Sequence, residues 1–261
     1  MLASVGFGQE NRLMWKLQTI QAIWFITDLN VTPANTLFKI AFGHDPDNFQ
    51  TNRALGPGNS FLSHAAGHID GMTVTFSVQP GRLSLAITPF QQEIDFSQPF
   101  LSIDQASATE MHARAANAIS EYLNGVVRNA TVASFVMPVA SYAEAAQVIF
   151  GLTHTDLSAE NVSDIEFQMN RPTTADDGAV VNRLLKYNVL GMQVVVGNQP
   201  GIAATHEALR SDLHAVSLMI DVNVVPNRGI LDSAIQKSLF KLYMEQVLHV
   251  LDENGSALSL W

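Results

Sequence analysis

The strongest constraint on the fold is a pair of alternating segments joined by a two-residue turn. In Met72–Gln79 and in Arg82–Thr88, apolar residues occupy every second position. Pro80-Gly81 between them is a turn signal. Each segment therefore has one apolar face and one polar face, which predicts an antiparallel hairpin in a sheet that is covered on one side.

Helices are marked by their N-terminal signals. Ser107 to Glu110 and Ser141 to Glu144 are both capping boxes, in which Ser accepts from a backbone N–H and Glu reaches back. The first predicts a long amphipathic helix, and the second predicts a shorter helix ending at Gly151. The other predicted elements, in chain order, are strand Trp15–Thr27, a helix from Thr32-Pro33 to Phe42 that stops at Gly43, an irregular stretch His44–Gly58, strands Ala130–Val139, Val162–Asn170, Leu184–Val196 and Ala215–Val225, and a final helix Ile230–Asp252.

The order of these elements repeats. Each half has a strand, a short helix, a set of antiparallel strands and a long helix, and the two short helices end in Ala-Phe-Gly and Ile-Phe-Gly. This predicts an α+β fold of two related lobes, 1–128 and 129–261, produced by internal duplication. The alternative is that both lobes belong to one continuous domain. Helices packed on one face of the sheet, or of two sheets, would complete such an architecture.

Composition limits the function classes. Only 15% of the 261 residues are charged, and 24 acidic against 14 basic residues give a net charge of -10. Arg171, Arg183 and Lys186 form the densest basic group, but this net charge makes nucleic acid an unexpected partner. The chain has no cysteine, which excludes thiol catalysis and thiolate metal sites. No nucleotide-binding or hydrolase motif is present, so no catalytic residue is assigned.

The sequence also predicts where the protein resides. Its N-terminus lacks the basic and apolar regions of a signal peptide, and no apolar run is long enough to span a bilayer. Absence of cysteine is compatible with a reducing compartment. We therefore expect a soluble, cytoplasmic protein with no membrane partner.

One cluster is a candidate metal site. His64 and His68 are four residues apart, so they would share a face if this segment were helical, and Asp70 would supply a carboxylate. Gly67 and Gly71 weaken the helical interpretation, and a loop before the hairpin is the structural alternative. A divalent metal held by His64, His68 and Asp70 is the prediction if a cofactor is present; otherwise none is expected.

The C-terminus is a candidate contact segment. Leu258, Leu260 and Trp261 form an apolar end that is costly to leave in water, and Trp is a frequent interface anchor. This segment docks either on its own chain or on a neighbour. The sequence as a whole favours a non-enzymatic assembly or accessory protein that acts through protein–protein association, with itself or with another protein. The alternatives are a metal-dependent enzyme or metal-binding protein, and a small-ligand binder with a pocket between the lobes.

Overall fold

The structure is a computed structural model that describes residues 14–27, 32–52, 61–90, 100–160, 162–174, 178–196, 209–226 and 229–260. The elements within these residues are β1 Lys16–Ile26, α1 Ala34–Phe42, β2 Asn48–Thr51, β3 Ser63–Ile69, β4 Met72–Gln79, β5 Arg82–Pro89, α2 Gln105–Tyr122, β6 Val126–Val139, α3 Tyr142–Thr153, β7 Glu166–Thr174, β8 Val180–Val196, β9 Leu209–Val224, α4 Ser233–Asp252 and a 3₁₀ turn Ala257–Leu260. None of the described helices is both long enough and apolar enough to cross a membrane.

The nine described strands form one sheet in the order β2-β3-β4-β5-β1-β6-β9-β8-β7. Every pairing between neighbours is antiparallel. The prediction of a mixed α and β protein with antiparallel strands is therefore confirmed. Four strands (β2 to β5) lie beyond β1 in this sheet, and three strands (β7 to β9) lie beyond β6.

β1 and β6 join the two halves of the chain. Their register runs from Lys16 opposite Val136 to Ile26 opposite Val126, with irregular steps near both ends. β6 begins at Val126, so the expected lobe boundary at 128/129 falls inside this strand. A single hydrogen-bonded sheet thus continues across that boundary.

The core is built from alternate strand residues and from the helices. Every second residue of β4 from Met72 to Val78 is buried, and the residues between them are half-buried. The same cluster holds Phe38 of α1, Ile119 of α2, Ile149 of α3 and Tyr243 of α4. Alternate strand residues and side chains from the four described helices therefore belong to one core, which is the main source of stability.

The helix caps agree only in part with the predicted ones. Ser141 caps α3 as predicted, accepting from the Glu144 N–H at 3.1 Å. α2 begins earlier than predicted because Asp104, rather than Ser107, is its N-cap and accepts from the Ser107 N–H at 2.8 Å. α1 has Pro33 at the N-cap position and no side-chain cap, although Thr is a favoured N-cap residue and Thr32 directly precedes Pro33.

The largest errors of prediction concern strands. The stretch predicted to be irregular contains β2, and β3 follows it. The sequence did not predict either strand because neither segment is rich in the β-branched residues that mark strands. β3 contains Gly67, where a Cβ atom would lie 2.5 Å from the Phe38 ring. Its small residues thus make room for α1. β6 and β8 also begin four residues before their predicted starts, and β9 begins six residues before its own.

Candidate binding surface

His64 and His68 lie on a strand. Positions four apart on β3 share a face of the sheet, but their backbones are separated by about 13 Å, too far for one metal ion. Asp70 occupies the turn between β3 and β4, with a positive φ of 49° beside Gly71. This turn conformation accounts for Asp70 without a ligand role, because Asp tolerates left-handed backbone.

His68 is engaged elsewhere. A carboxylate oxygen of Asp47 accepts from the His68 N–H at 2.8 Å and lies 2.8 Å from the ring Nδ1. These contacts lower the pKa of Asp47. Partial burial lowers the pKa of His64. In the part of the chain that the structure describes, no three His, Asp or Glu side chains are grouped to hold a metal ion. The predicted ligand set is therefore not brought together.

Three other histidines, His44, His112 and His154, have structural surroundings. His154 is the left-handed C-cap of α3, and the His44 ring packs edge-on against Phe38. His112 is fully buried under the sheet, and its Nε2 lies 3.5 Å from the Thr131 hydroxyl. Three further groups of glycine or titratable residues in the sequence, Gly56–Ser60, Glu93 with Asp95, and His206 with Glu207, lie outside the described residues.

The C-terminal segment docks on its own chain up to Ala257. The Trp15 indole donates to the Asn254 carbonyl at 2.9 Å, and the Tyr187 hydroxyl donates to the Gly255 carbonyl at 2.8 Å. Ala257 is buried, whereas Leu258 is half-exposed at 52%. Of the predicted contact residues, Leu258 is thus available to a neighbour. The Leu260 side chain and the whole of Trp261 lie outside the described part.

The strand residues that alternate with the core residues form a second surface, which we call the outer face. The strand register aligns them in rows across the sheet. One row, from β3 to β7, contains Ala66, Thr75, Ala86, Gln21, Val132, Asp221, Leu184 and Asn170. All but the last are half-buried and Asn170 is exposed. The row is thus a continuous surface of mainly small or uncharged side chains.

A second row of the outer face is strongly basic. Phe25 of β1 is opposite Arg82 of β5 on one side and opposite Arg128 of β6 on the other. The Arg128 guanidinium lies over the Phe25 ring, 4.9 Å from its centroid. The Nε atoms of Arg82 and Arg128 are buried and have no hydrogen-bond partner. An aromatic ring is therefore flanked by two guanidinium groups, neither of which has its Nε–H satisfied within the described residues.

Two other charged side chains on this surface, Lys186 and Asp221, have partners within the described residues. Lys186 contacts the Glu166 carboxylate at 2.8 Å, and the Asn223 amide donates to Asp221 at 2.9 Å. Lys186 was grouped in the sequence with Arg171 and Arg183, but the structure separates them. Those two arginines are opposite each other on the other face, where Arg183 also donates to Gln246 at 3.0 Å.

The basic row was not found from the sequence. The alternation of β5 does place Arg82 opposite the core, and β1 was predicted as a strand that includes Phe25. Their contact depends on β5, β1 and β6 being neighbours, which is a long-range feature that no local pattern specifies. Arg128 was also placed outside any predicted strand.

A cleft lies where the two halves of the chain meet. Its volume is about 460 Å³, within the usual range for small-molecule sites. Lys16, Phe100 and Ser102 line it from the first half, and Asp212 and His214 line it from the second. The His214 Nδ1 is buried and has no hydrogen-bond partner. The cleft lining therefore contains a cation, a carboxylate and an imidazole.

Comparisons with known proteins add no assignment. No protein-family model, no curated protein and no solved structure matches this chain.

Proposed function

We propose that this protein is a non-enzymatic assembly or accessory protein that self-associates through its outer face. The observation that carries the proposal is the width of that face, which crosses all nine described strands with mainly uncharged side chains. Three arguments support it: the arrangement of the two halves, the position of the helices, and the area available.

We propose first that the chain is an internal duplication with lobes 1–128 and 129–261. The order β1-α1-β3-β4-β5-α2 in the first half matches β6-α3-β7-β8-β9-α4 in the second. The sheet order agrees as well, because β5, β4 and β3 extend outward from β1 as β9, β8 and β7 extend from β6. β2 is then an addition to the first lobe.

We propose second that all four helices cover the same face of the sheet. α1 contacts β3 and β4, α2 contacts β1, α3 contacts β8 and β9, and α4 contacts β6 and β9. Buried side chains from each helix share one cluster with alternate strand residues. This arrangement leaves the outer face available for another molecule.

The area of the outer face suits a second copy of the chain. Nine strands spaced by about 4.8 Å span about 38 Å, and seven residues along a strand span about 23 Å. Face-to-face contact would bury about 900 Å² on each copy, or about 1,800 Å² in total, as in stable complexes. Short side chains such as Thr75 and Ala86 lose little conformational entropy on contact.

Sedimentation velocity tests the proposal over the micromolar range. Wild-type protein should shift reversibly from monomer to dimer as concentration rises. Ala86→Glu, in the middle of the outer face, should abolish the shift because it buries an unpaired carboxylate. Ala113→Glu, at an exposed position of α2, is the matched control and should still dimerise. A wild-type protein that stays monomeric at high micromolar concentration contradicts self-association.

The cleft between the halves favours a second candidate function, that of a small-ligand binder. Lys16 supplies a cation that is suited to a small carboxylic acid, and His214 lines the same cleft. A thermal-shift panel of mono- and dicarboxylic acids should then contain a compound that raises the melting temperature. The rise should disappear in His214→Gln. Absence of any rise, or the same rise in the variant, contradicts this candidate.

A further inference from the structure

The basic row of the outer face lies at one end of its strands. Arg82 is the first residue of β5, Phe25 is the second-to-last residue of β1, and Arg128 is the third residue of β6. The row is therefore at the rim of the outer face. A ligand can reach it without covering the centre of the sheet.

The described part of the chain supplies no carboxylate partner to these two arginines. Neither Arg82 nor Arg128 forms an ion pair with a carboxylate of the described residues, although acidic residues outnumber basic ones by ten in the sequence. Half-burial of a cation without a counter-charge is unfavourable. A partner that supplies carboxylates therefore gains more binding free energy here than it would at a fully hydrated lysine. The stack on Phe25 also holds Arg128 in place before binding.

We infer that Arg82, Phe25 and Arg128 form a docking site for an acidic, amphipathic helix of a partner protein. The two arginines are two strand spacings apart, about 10 Å. Carboxylates on one side of a helix, two turns apart, are separated by about 10.5 Å. An apolar side chain between them would contact the Phe25 ring. Each carboxylate then accepts hydrogen bonds from one guanidinium.

Charge favours this protein ligand over a nucleic acid. A nucleic acid brings a dense row of phosphates to a chain whose net charge is -10. The affinity for such a polyanion increases with the number of cations that contact its phosphates, and this row offers only two. A peptide segment with two carboxylates matches those two cations and adds apolar contact that phosphates lack.

Fluorescence anisotropy with the full-length protein tests the site. The probe is a labelled synthetic helix with two Glu residues two turns apart, a Leu midway, and Ala or Gln elsewhere. We expect saturable binding that weakens about tenfold in Arg82→Gln and again in Arg128→Gln, because each loses a charge-assisted hydrogen bond. Lys186→Gln is the matched control on the same face, already paired with Glu166, and should bind like wild type.

A second probe tests the chemistry of the ligand. The same helix with Gln in place of both Glu residues should bind at least tenfold more weakly. Equal binding of the two peptides, unchanged binding in both arginine variants, or tighter binding of a single-stranded oligonucleotide than of the acidic helix overturns the inference. Peptide binding and self-association are measured separately, the latter by sedimentation of Arg82→Gln and Arg128→Gln. The two properties are separable because Ala86→Glu is expected to lose dimerisation and still bind the peptide.

Discussion

Tyr243 of α4 and Asn129 of β6 are linked by a buried hydrogen bond across 114 residues of sequence. The Tyr243 hydroxyl donates to the Asn129 Oδ1 at 2.9 Å. The Asn129 amide in turn donates to the Gln236 carbonyl, also on α4, at 3.4 Å. Both side chains are fully buried, and burial raises the pKa of Tyr243 well above its usual range. This pair fixes the position of the last helix against the strand that joins the two halves.

Tyr243→Phe should lower the free energy of unfolding by about 1–3 kcal/mol. The substitution removes the hydroxyl donor and leaves the side-chain oxygen Oδ1 of Asn129 buried without this hydrogen bond. Urea unfolding followed by circular dichroism measures the change. Tyr122→Phe is the matched control, because Tyr122 is 45% exposed and contacts Thr32 only at the surface. A loss no larger than that of the control contradicts a stabilising role for the pair.

His112 should make the protein less stable as pH falls from 6.5 to 4. Burial lowers the pKa of His112 from 6.5 to about 4, so in this window the unfolded chain binds a proton that the folded protein does not. At 1.36 kcal/mol for each unit, the total loss is about 3 kcal/mol. Chemical unfolding at a series of pH values measures it.

The control for this pH effect is His112→Gln. Its unfolding free energy should be lower than that of wild type at pH 7, but should change less between pH 6.5 and 4. Asp47 and Asp104 also have lowered pKa values, but their contribution is lost only when pH falls below the usual value of 3.8. An equal slope in the variant and wild type would falsify the assignment to His112.

Local sequence patterns predicted the elements that local forces determine. The β4–β5 hairpin follows from strict alternation, and the Ser141 cap follows from a reciprocal Ser and Glu pattern. The α2 cap was misplaced because Asp104 and Ser107 are both good caps three residues apart. The structure uses both, since the Ser107 hydroxyl also donates to Asp104 at 2.7 Å.

The candidate site could not be predicted because it depends on strand order. Arg82 and Phe25 are 57 positions apart in the numbering, and Arg128 is 46 positions further on than Arg82. Only the pairing of β5 and β6 with β1 brings them together. The predicted metal cluster failed to assemble for the converse reason: residues close in sequence are spread out by an extended strand.

Ser63 supplies the N-terminal cap that α1 lacks in its own sequence. Its buried hydroxyl accepts from the Ala34 N–H at 2.9 Å. Ser63→Ala should cost about 1–3 kcal/mol, because one of the first N–H groups of the helix is then buried without a partner. Ser63→Thr retains the hydroxyl and should recover part of the loss in thermal unfolding. Equal stability of wild type and Ser63→Ala contradicts this role.

Replacement by Ala should have opposite effects on stability at Gly67 and at Gly151. A Cβ atom at Gly67 would lie 2.5 Å from the Phe38 ring, whereas at Gly151 no atom lies within 4 Å. Gly67→Ala should therefore destabilise the protein by about 1–3 kcal/mol through overpacking between β3 and α1. Gly151→Ala, inside α3, should stabilise it by about 0.5–1 kcal/mol, since Ala favours helix. Phe38→Leu in the Gly67→Ala background should restore part of the loss, because the ring is what the added methyl meets. Urea unfolding of wild type, the two single variants and the double variant measures the order of their stabilities. If Gly67→Ala leaves the free energy of unfolding unchanged, α1 is free to move away from the sheet.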